Sequence, residues 1–257
     1  MKRIYMDNAA TTRVTEPVFE AMRPYFCETF GNPSSVHAFG REARKAVEQA
    51  RRQVAAALGA QAGEIYFTGS GTEADNWALR GAAYAQKARG RHIITTQIEH
   101  HAVLHAAEQL EKEGFEVTYL PVGEDGIVRL EALEKALRPD TTLVSIMAAN
   151  NEIGAIQPIR EAAKLAKAHG ALFHTDAVQA IGCVPIDVNA DGIDLLSLSG
   201  HKFHAPKGVG ALYIRSGVKL QRLIYGGAQE KTQRGGTENV ASIVGMGKAI
   251  ELAMESM

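Results

Sequence analysis

The chain has 257 residues, of which 46% are apolar and 22% charged, and its formal net charge is -1. That size allows one large domain or two small ones, and the composition is ordinary for a globular protein. The near-zero charge gives no bulk attraction to nucleic acid or to an anionic membrane, and no apolar stretch approaches the length of a membrane span. The opening M-K-R-I-Y-M-D-N lacks the apolar core of a secretory leader, and two cysteines, Cys27 and Cys183, cannot build a disulfide framework. A reduced, cytoplasmic protein is therefore expected.

Along the chain, short β-rich runs alternate with helical patterns, which predicts an α/β fold with a mostly parallel sheet. Residues 42–58 place Ala43, Ala46, Val47, Ala50, Val54, Ala57 and Leu58 on one helical face, with Gly59 as a stop. Strands are expected at 64–68, 92–96, 116–120, 143–147, 171–175, 194–198 and 209–214. Helices are expected at 72–80, at 101–113, around Leu130, Leu133 and Leu137, and from Pro158 to near Gly170. The last stretch, residues 240–257, is helical in pattern to the final residue. Standing alone it is expected to expose Ile243, Met246, Ile250 and Leu252.

Several turns between these elements carry chemistry. Lys202 lies in S-G-H-K-F-H directly after an apolar run, and Asp176 ends the run A-L-F-H-T-D. A lysine and an aspartate at the ends of buried strands suit a pyridoxal phosphate (PLP) site. The amine forms a Schiff base with the cofactor aldehyde, and the carboxylate holds the pyridine nitrogen protonated. Flanking His201 and His204 are expected to lower the lysine pKa. F-T-G-S-G-T-E joins a strand to a helix through a glycine-rich turn, an anion-binding geometry, with Thr72 placed as both N-cap and phosphate donor. Glu73 reads as an acid that complements the helix dipole. Gln179, Ser199 and His201 can reach the same region, or can serve only as caps and loop residues. His100 precedes a helix at a strand-to-helix turn, whereas His101 and His105, four apart, fall on the polar stripe opposite Val103, Leu104, Ala107 and Leu110 and read as solvated rather than metal-binding. A-N-N-E-I-G (149–154) and R-G-G-T-E-N (234–239) either orient a ligand or simply turn the chain.

Taken together, Y-M-D-N-A-A-T-T (5–12), F-G-N-P-S-S-V-H (30–37), F-T-G-S-G-T-E-A-D-N (67–76), T-Q-I-E-H-H-A-V-L (96–104), N-N-E-I-G (150–154), H-T-D-A-V-Q-A-I-G (174–182), S-G-H-K-F-H-A-P-K-G-V-G-A-L-Y (199–213) and G-G-A-Q-E-K-T-Q-R-G-G-T-E-N (226–239) resemble the NifS/IscS-like cysteine desulfurases of the class V PLP enzymes. The resemblance covers nearly the whole chain. It implies an aspartate aminotransferase-like PLP-dependent transferase large domain, with a mostly parallel seven-stranded sheet between helices. It implies an N-terminal arm over 1–15, the PLP-binding domain over 16–240, and over 241–257 the start of a helix leading to a small domain. By resemblance, Lys202 carries the cofactor and shuttles protons at Cα, Asp176 pairs with the pyridine nitrogen, and Gln179 binds the ring hydroxyl. His100 stacks on the ring, Gly71, Thr72, Ser199 and His201 hold the phosphate, and Asn151 sits beside cofactor and substrate. Thr237 resembles a residue that reaches the phosphate of a neighbouring subunit, which implies a homodimer.

The implied reaction converts L-cysteine to L-alanine and hands the sulfur to an iron–sulfur scaffold or a tRNA-thiolation protein. In the family, the nucleophilic cysteine loop and a substrate-binding arginine belong to the small domain. Neither Cys27 nor Cys183 matches that loop, so sulfur transfer by these residues alone is expected to be weak. Two other readings stay open, namely a selenocysteine lyase or other C–S lyase of the same fold, and a non-catalytic truncated paralogue.

Overall fold

The computed structural model describes residues 3–257. Seven strands form one sheet in the order β1-β7-β6-β5-β4-β2-β3: β1 Ile65–Thr68, β2 His92–Thr96, β3 Glu116–Leu120, β4 Thr141–Ser145, β5 Leu172–Asp176, β6 Leu195–Ser199 and β7 Gly210–Ile214. Only β7 runs against its two neighbours, so the other six strands end on the same side of the sheet. The expected seven-stranded, mostly parallel arrangement is the one found.

Helices cover both faces, as buried parallel strands require. α4 (Gly71–Gln86) and α5 (His101–Lys112) pack on one face, where Trp77, Leu79, Val103 and Leu110 meet Ile93, Leu143, Leu195 and Leu212. On the other face lie α1 (Glu16–Met22), α3 (Ala38–Leu58), α6 (Leu130–Ala136), α7 (Ile159–Ala168) and α8 (Val240–Ser256), against Phe67, Ile94, Val144, Phe173, Leu196 and Leu198. The short α2 is Pro24–Cys27.

Three differences from the sequence expectations have physical causes. Helix α3 begins at Ala38, a turn before the expected 42, because the His37 side chain caps it and Gly40 packs against the carbonyls of Asn32 and Ser35, where a Cβ would sit 2.7 and 2.3 Å away. A glycine contact of this kind leaves no apolar signal. Strand β4 spans 141–145 rather than 143–147, because Thr141 and Thr142 are buried with their hydroxyls bonded to His92, at 2.7 Å to the ring and 3.2 Å to the carbonyl. The expected exposure on α8 is overturned, since Ile243, Met246 and Ile250 are buried against α1 and α3, with Leu252 half-buried.

Candidate active site

The strand ends and the N-terminal segment enclose a cavity of about 700 Å³. Gly71, Thr72, His100, Asn151, Asp176, Gln179, Ser199, His201 and Lys202 all line it, brought from five separate strand ends. Ligand sites of open α/β sheets form in this position. Thr237 does not line it. In this single chain it borders a separate pocket of about 110 Å³ beside Gly69, Arg234 and Glu238.

Asp176 ends β5 and is buried. Val178 N–H donates to its Oδ1 at 2.9 Å, and no protein donor among the described residues reaches Oδ2. Burial raises its pKa to about 6, against the pull of that N–H and of Lys202. The Lys202 ammonium donates to the carbonyls of Ala9 and Ala10. Its pKa is lowered chiefly by burial, while Asp176 and Asp7 act in the opposite direction. The flanking histidines are therefore not the cause that the sequence suggested. His204 turns away, with its Nδ1 on the carbonyl of Arg13.

His100 caps α5. Its Nδ1 accepts from Ala102 N–H at 3.1 Å, which leaves Nε2 for a ligand, and burial together with His101 and Lys202 lowers its pKa, so the ring is neutral. His201 is likewise lowered by burial and Lys202, and its Nδ1 meets Thr11 Oγ1 at 3.1 Å. Ser199 lies beside the start of α4. A Cβ added at Gly71 would come within 3.1 Å of the Ser199 Cβ and 2.9 Å of Val178, so only glycine lets the helix N-terminus come this close. The N-cap of α4 is Ser70, whose Oγ accepts Glu73 N–H at 3.1 Å, and not Thr72. The helix starts one residue earlier than the sequence pattern indicated, which frees the Thr72 hydroxyl. Glu73 does more than complement the dipole: its Oε2 accepts Gly69 N–H at 2.8 Å and its Oε1 pairs with Arg234 at 2.8 Å, tying the glycine turn to segment 226–239.

Asn151 reaches the cavity from a turn held by its neighbour. Asn150 donates to Ile98 O at 2.9 Å and accepts from Glu152 N–H and Ile153 N–H. Residue-level reasoning missed the arm as a cavity wall. Asp7, Ala9, Ala10 and Thr11 line it, Gln179 donates to Ala9 O at 2.9 Å, and Thr12 donates twice to His201 O at 2.8 and 2.9 Å. The only signal was the stretch Y-M-D-N-A-A-T-T, read there as resemblance. Asp75 and Lys207 also line the cavity and were not singled out. His101 and His105 are exposed in a neighbouring cleft, as expected, and no cluster of three or more metal-ligating side chains exists among the described residues. Cys27 and Cys183 are exposed free thiols outside the cavity.

A cavity with an amine, a buried carboxylate with one oxygen free, a neutral imidazole and a helix N-terminus flanked by hydroxyls has the donors and acceptors for a phosphorylated, ring-nitrogen aldehyde. The residues present fit PLP.

The family model for class-V aminotransferases matches residues 4–257. The chain belongs to the class-V aminotransferase family. Within it, the chain is 60% identical over 256 residues to the cysteine desulfurase IscS of Clostridium botulinum (strain Hall), covering all of this chain and 64% of that protein. The corresponding figures for IscS of Dictyoglomus turgidum are 58% over 258 residues and 66%. Among solved structures, a NifS-like protein superposes with a TM-score of 0.97 at 49% identity, covering 99% of this chain and 70% of that one. A structure described as SspA in complex with cysteine gives 0.94 at 43%, covering 97% and 72%. The chain thus spans about 64% of the length of the first of these curated relatives.

Proposed function

We propose that these residues form the PLP-binding large domain of a cysteine desulfurase acting on L-cysteine. The observation that carries the reading is the meeting of Lys202 and Asp176 in one cavity with a neutral His100 between flanking polar groups. Similarity to IscS proteins and to a structure solved with cysteine supports the substrate class.

Bound there, PLP supplies an electron-accepting ring that stabilises negative charge at the substrate Cα. The protein's part is placement and proton handling. Lys202, with its pKa lowered by burial, gives a nucleophilic amine and a base for the Cα proton. With the cofactor bound, Asp176 would hold the protonated ring nitrogen with its free oxygen, Gln179 would hold the ring hydroxyl, and His100 would lie against the ring. Thr72, Ser199, His201 and the N–H groups opened by Gly71 hold the phosphate. Asn151, which lines the cavity, would sit beside cofactor and substrate. Thr237, which does not line this cavity in its own chain, serves a second copy in a homodimer. Residues 1–15 act as the arm, 16–240 as the cofactor domain, and 241–257 as the link onward. The sulfur goes to an iron–sulfur scaffold or a tRNA-thiolation protein. Neither Cys27 nor Cys183 lines the cavity, so neither is assigned the sulfur here.

The test is the visible spectrum of the purified chain mixed with PLP, before and after borohydride. A protein-bound band that borohydride abolishes, with the added mass on Lys202, is expected. Absence of the band, or mass on another lysine, rejects the reading.

A further inference from the structure

The cavity contains a second buried carboxyl that the roles above leave unused. Asp75 projects from α4, is 1% exposed, and lines the cavity with Asp176. Its Oδ1 is enclosed and has no hydrogen-bond partner among the described residues. Beside it a row of neutral polar groups crosses the sheet. Ser145 Oγ on β4 meets His174 Nδ1 on β5 at 2.8 Å, and His174 Nε2 meets Ser197 Oγ on β6 at 3.0 Å. Ser197 pairs in register with Asp176, and Asp75 Oδ1 lies 3.7 Å from His174 Nε2, beyond hydrogen-bond reach.

The two carboxyls are not equivalent. Asp176 accepts a backbone N–H and is drawn toward ionisation by Lys202. Asp75 has only the Ser197 hydroxyl and the His174 ring nearby, and burial holds that imidazole neutral by taking its pKa down to about 3. Other titratable groups on or beside the elements around α4 include Glu99 and His100 after β2, His201 and Lys202 after β6, Tyr66 on β1, Tyr213 on β7, and His101, His105, Glu108, Glu111 and Lys112 on α5. Of these, Glu99 repels an ionised Asp75 only where it is itself ionised, above its own pKa of about 8, and Lys202 acts on Asp176. Two neighbouring carboxyls in a desolvated site do not both ionise near neutral pH, and the proton stays on the one with fewer donors.

We propose that Asp75 is a positioning residue of this cavity: it keeps, as a neutral acid, the one proton that it and Asp176 have between them, and so leaves Asp176 as the anionic carboxyl facing the ligand. Its importance for a ring nitrogen rests on the PLP reading, but the protonation itself does not. The enclosed Oδ1 is the mark of a group that contributes no charge to the cavity.

The experiment uses the cofactor-free chain with aspartate carboxyl carbons labelled with ¹³C. Near neutral pH one aspartate carbon is expected at the position of a protonated acid. Asp75→Asn abolishes that signal and Asp176→Asn retains it. In the unaltered protein the same carbon stays protonated while a second one, that of Asp176, titrates in the acidic range. No acid signal in the wild type, loss of the signal in Asp176→Asn with retention in Asp75→Asn, or loss in both overturns the proposal. If Asp75→Asn does not fold, the wild-type titration and Asp176→Asn decide alone. A failed cofactor reading shows instead as a missing visible band, with these signals in place.

Discussion

Glu99, one residue before His100, is buried, and its Oε1 accepts from Thr96 Oγ1 at 2.7 Å and Met147 N–H at 2.9 Å, while Oε2 is enclosed without a partner. It thereby staples the ends of β2 and β4, which set the positions of His100 and Asn151. Burial raises its pKa to about 8. The folded state therefore binds a proton that the unfolded chain releases above pH about 4.5. This contribution to stability is complete below that pH and is lost as pH rises toward 8. The loss is of order 3 kcal/mol at neutral pH. Urea unfolding at pH 5 and pH 8 is expected to show a slope that Glu99→Gln flattens. An unchanged slope in the variant removes Glu99 from this role. The same scale governs Asp176. Asp176→Asn is expected to keep the borohydride-sensitive band but to slow solvent deuterium exchange at the Cα of L-alanine by roughly 100-fold, measured by NMR. Sequence reasoning placed Lys202, Asp176 and His100 because each follows a strand. It could not find Glu99 or Asp75, because what distinguishes them is burial by residues far away in the chain.

At the scale of elements, segment 226–239 owes its path to one buried ion pair. Arg51 on α3 pairs with both oxygens of Glu230 at 2.7 and 2.8 Å, and both side chains are buried. Arg51 also donates to Ile65 O at 2.8 Å, and Glu230 accepts Phe67 N–H at 2.9 Å. With that anchor in place, Glu230, Lys231 and Thr232 hold left-handed φ values of 43°, 55° and 69°, where non-glycine residues rarely sit. Arg234 then reaches Glu73 at the glycine turn. Glu230→Ala leaves the buried Arg51 with only the exposed Glu48 carboxylate at 3.1 Å as its charge partner, and is expected to cost up to about 3–5 kcal/mol in urea unfolding. A loss under about 1 kcal/mol, the value of an exposed pair, contradicts this account. Strands β2 and β3 were legible to the residue, since each is a compact apolar or alternating run. Helices α1 and α2 were not, being short and carrying exposed Phe19 and Phe26. Within segment 226–239 only 234–239 read as a glycine-rich turn, because a left-handed path through Glu-Lys-Thr has no local signature.

At the scale of the whole molecule, the cavity brings together the arm, the ends of five strands and the start of α4. A ligand bound there stabilises all of them together. At 100 times its dissociation constant, PLP is expected to add about 2.7 kcal/mol, a rise in Tm of roughly 5–11 °C for a chain of this size. Lys202→Ala should lose most of the rise, as read by calorimetry; an equal rise in that variant places the binding elsewhere. The α/β class and the ring of strand ends were legible because both follow from alternation of strands and helices, whereas the arm's place across the cavity depends on contacts with residues 170–190 positions away. The Arg51–Glu230 anchor has a further consequence. β1 is the outermost strand on its side, and the outward N–H of Phe67 and C=O of Ile65 are the groups that the pair occupies. Side chains thus cover an edge that would otherwise be open to pairing with strands of other molecules. A chain that loses Glu230 exposes a template for intermolecular β-structure, and its failure in a cell would show as insoluble aggregate before it showed as lost cofactor.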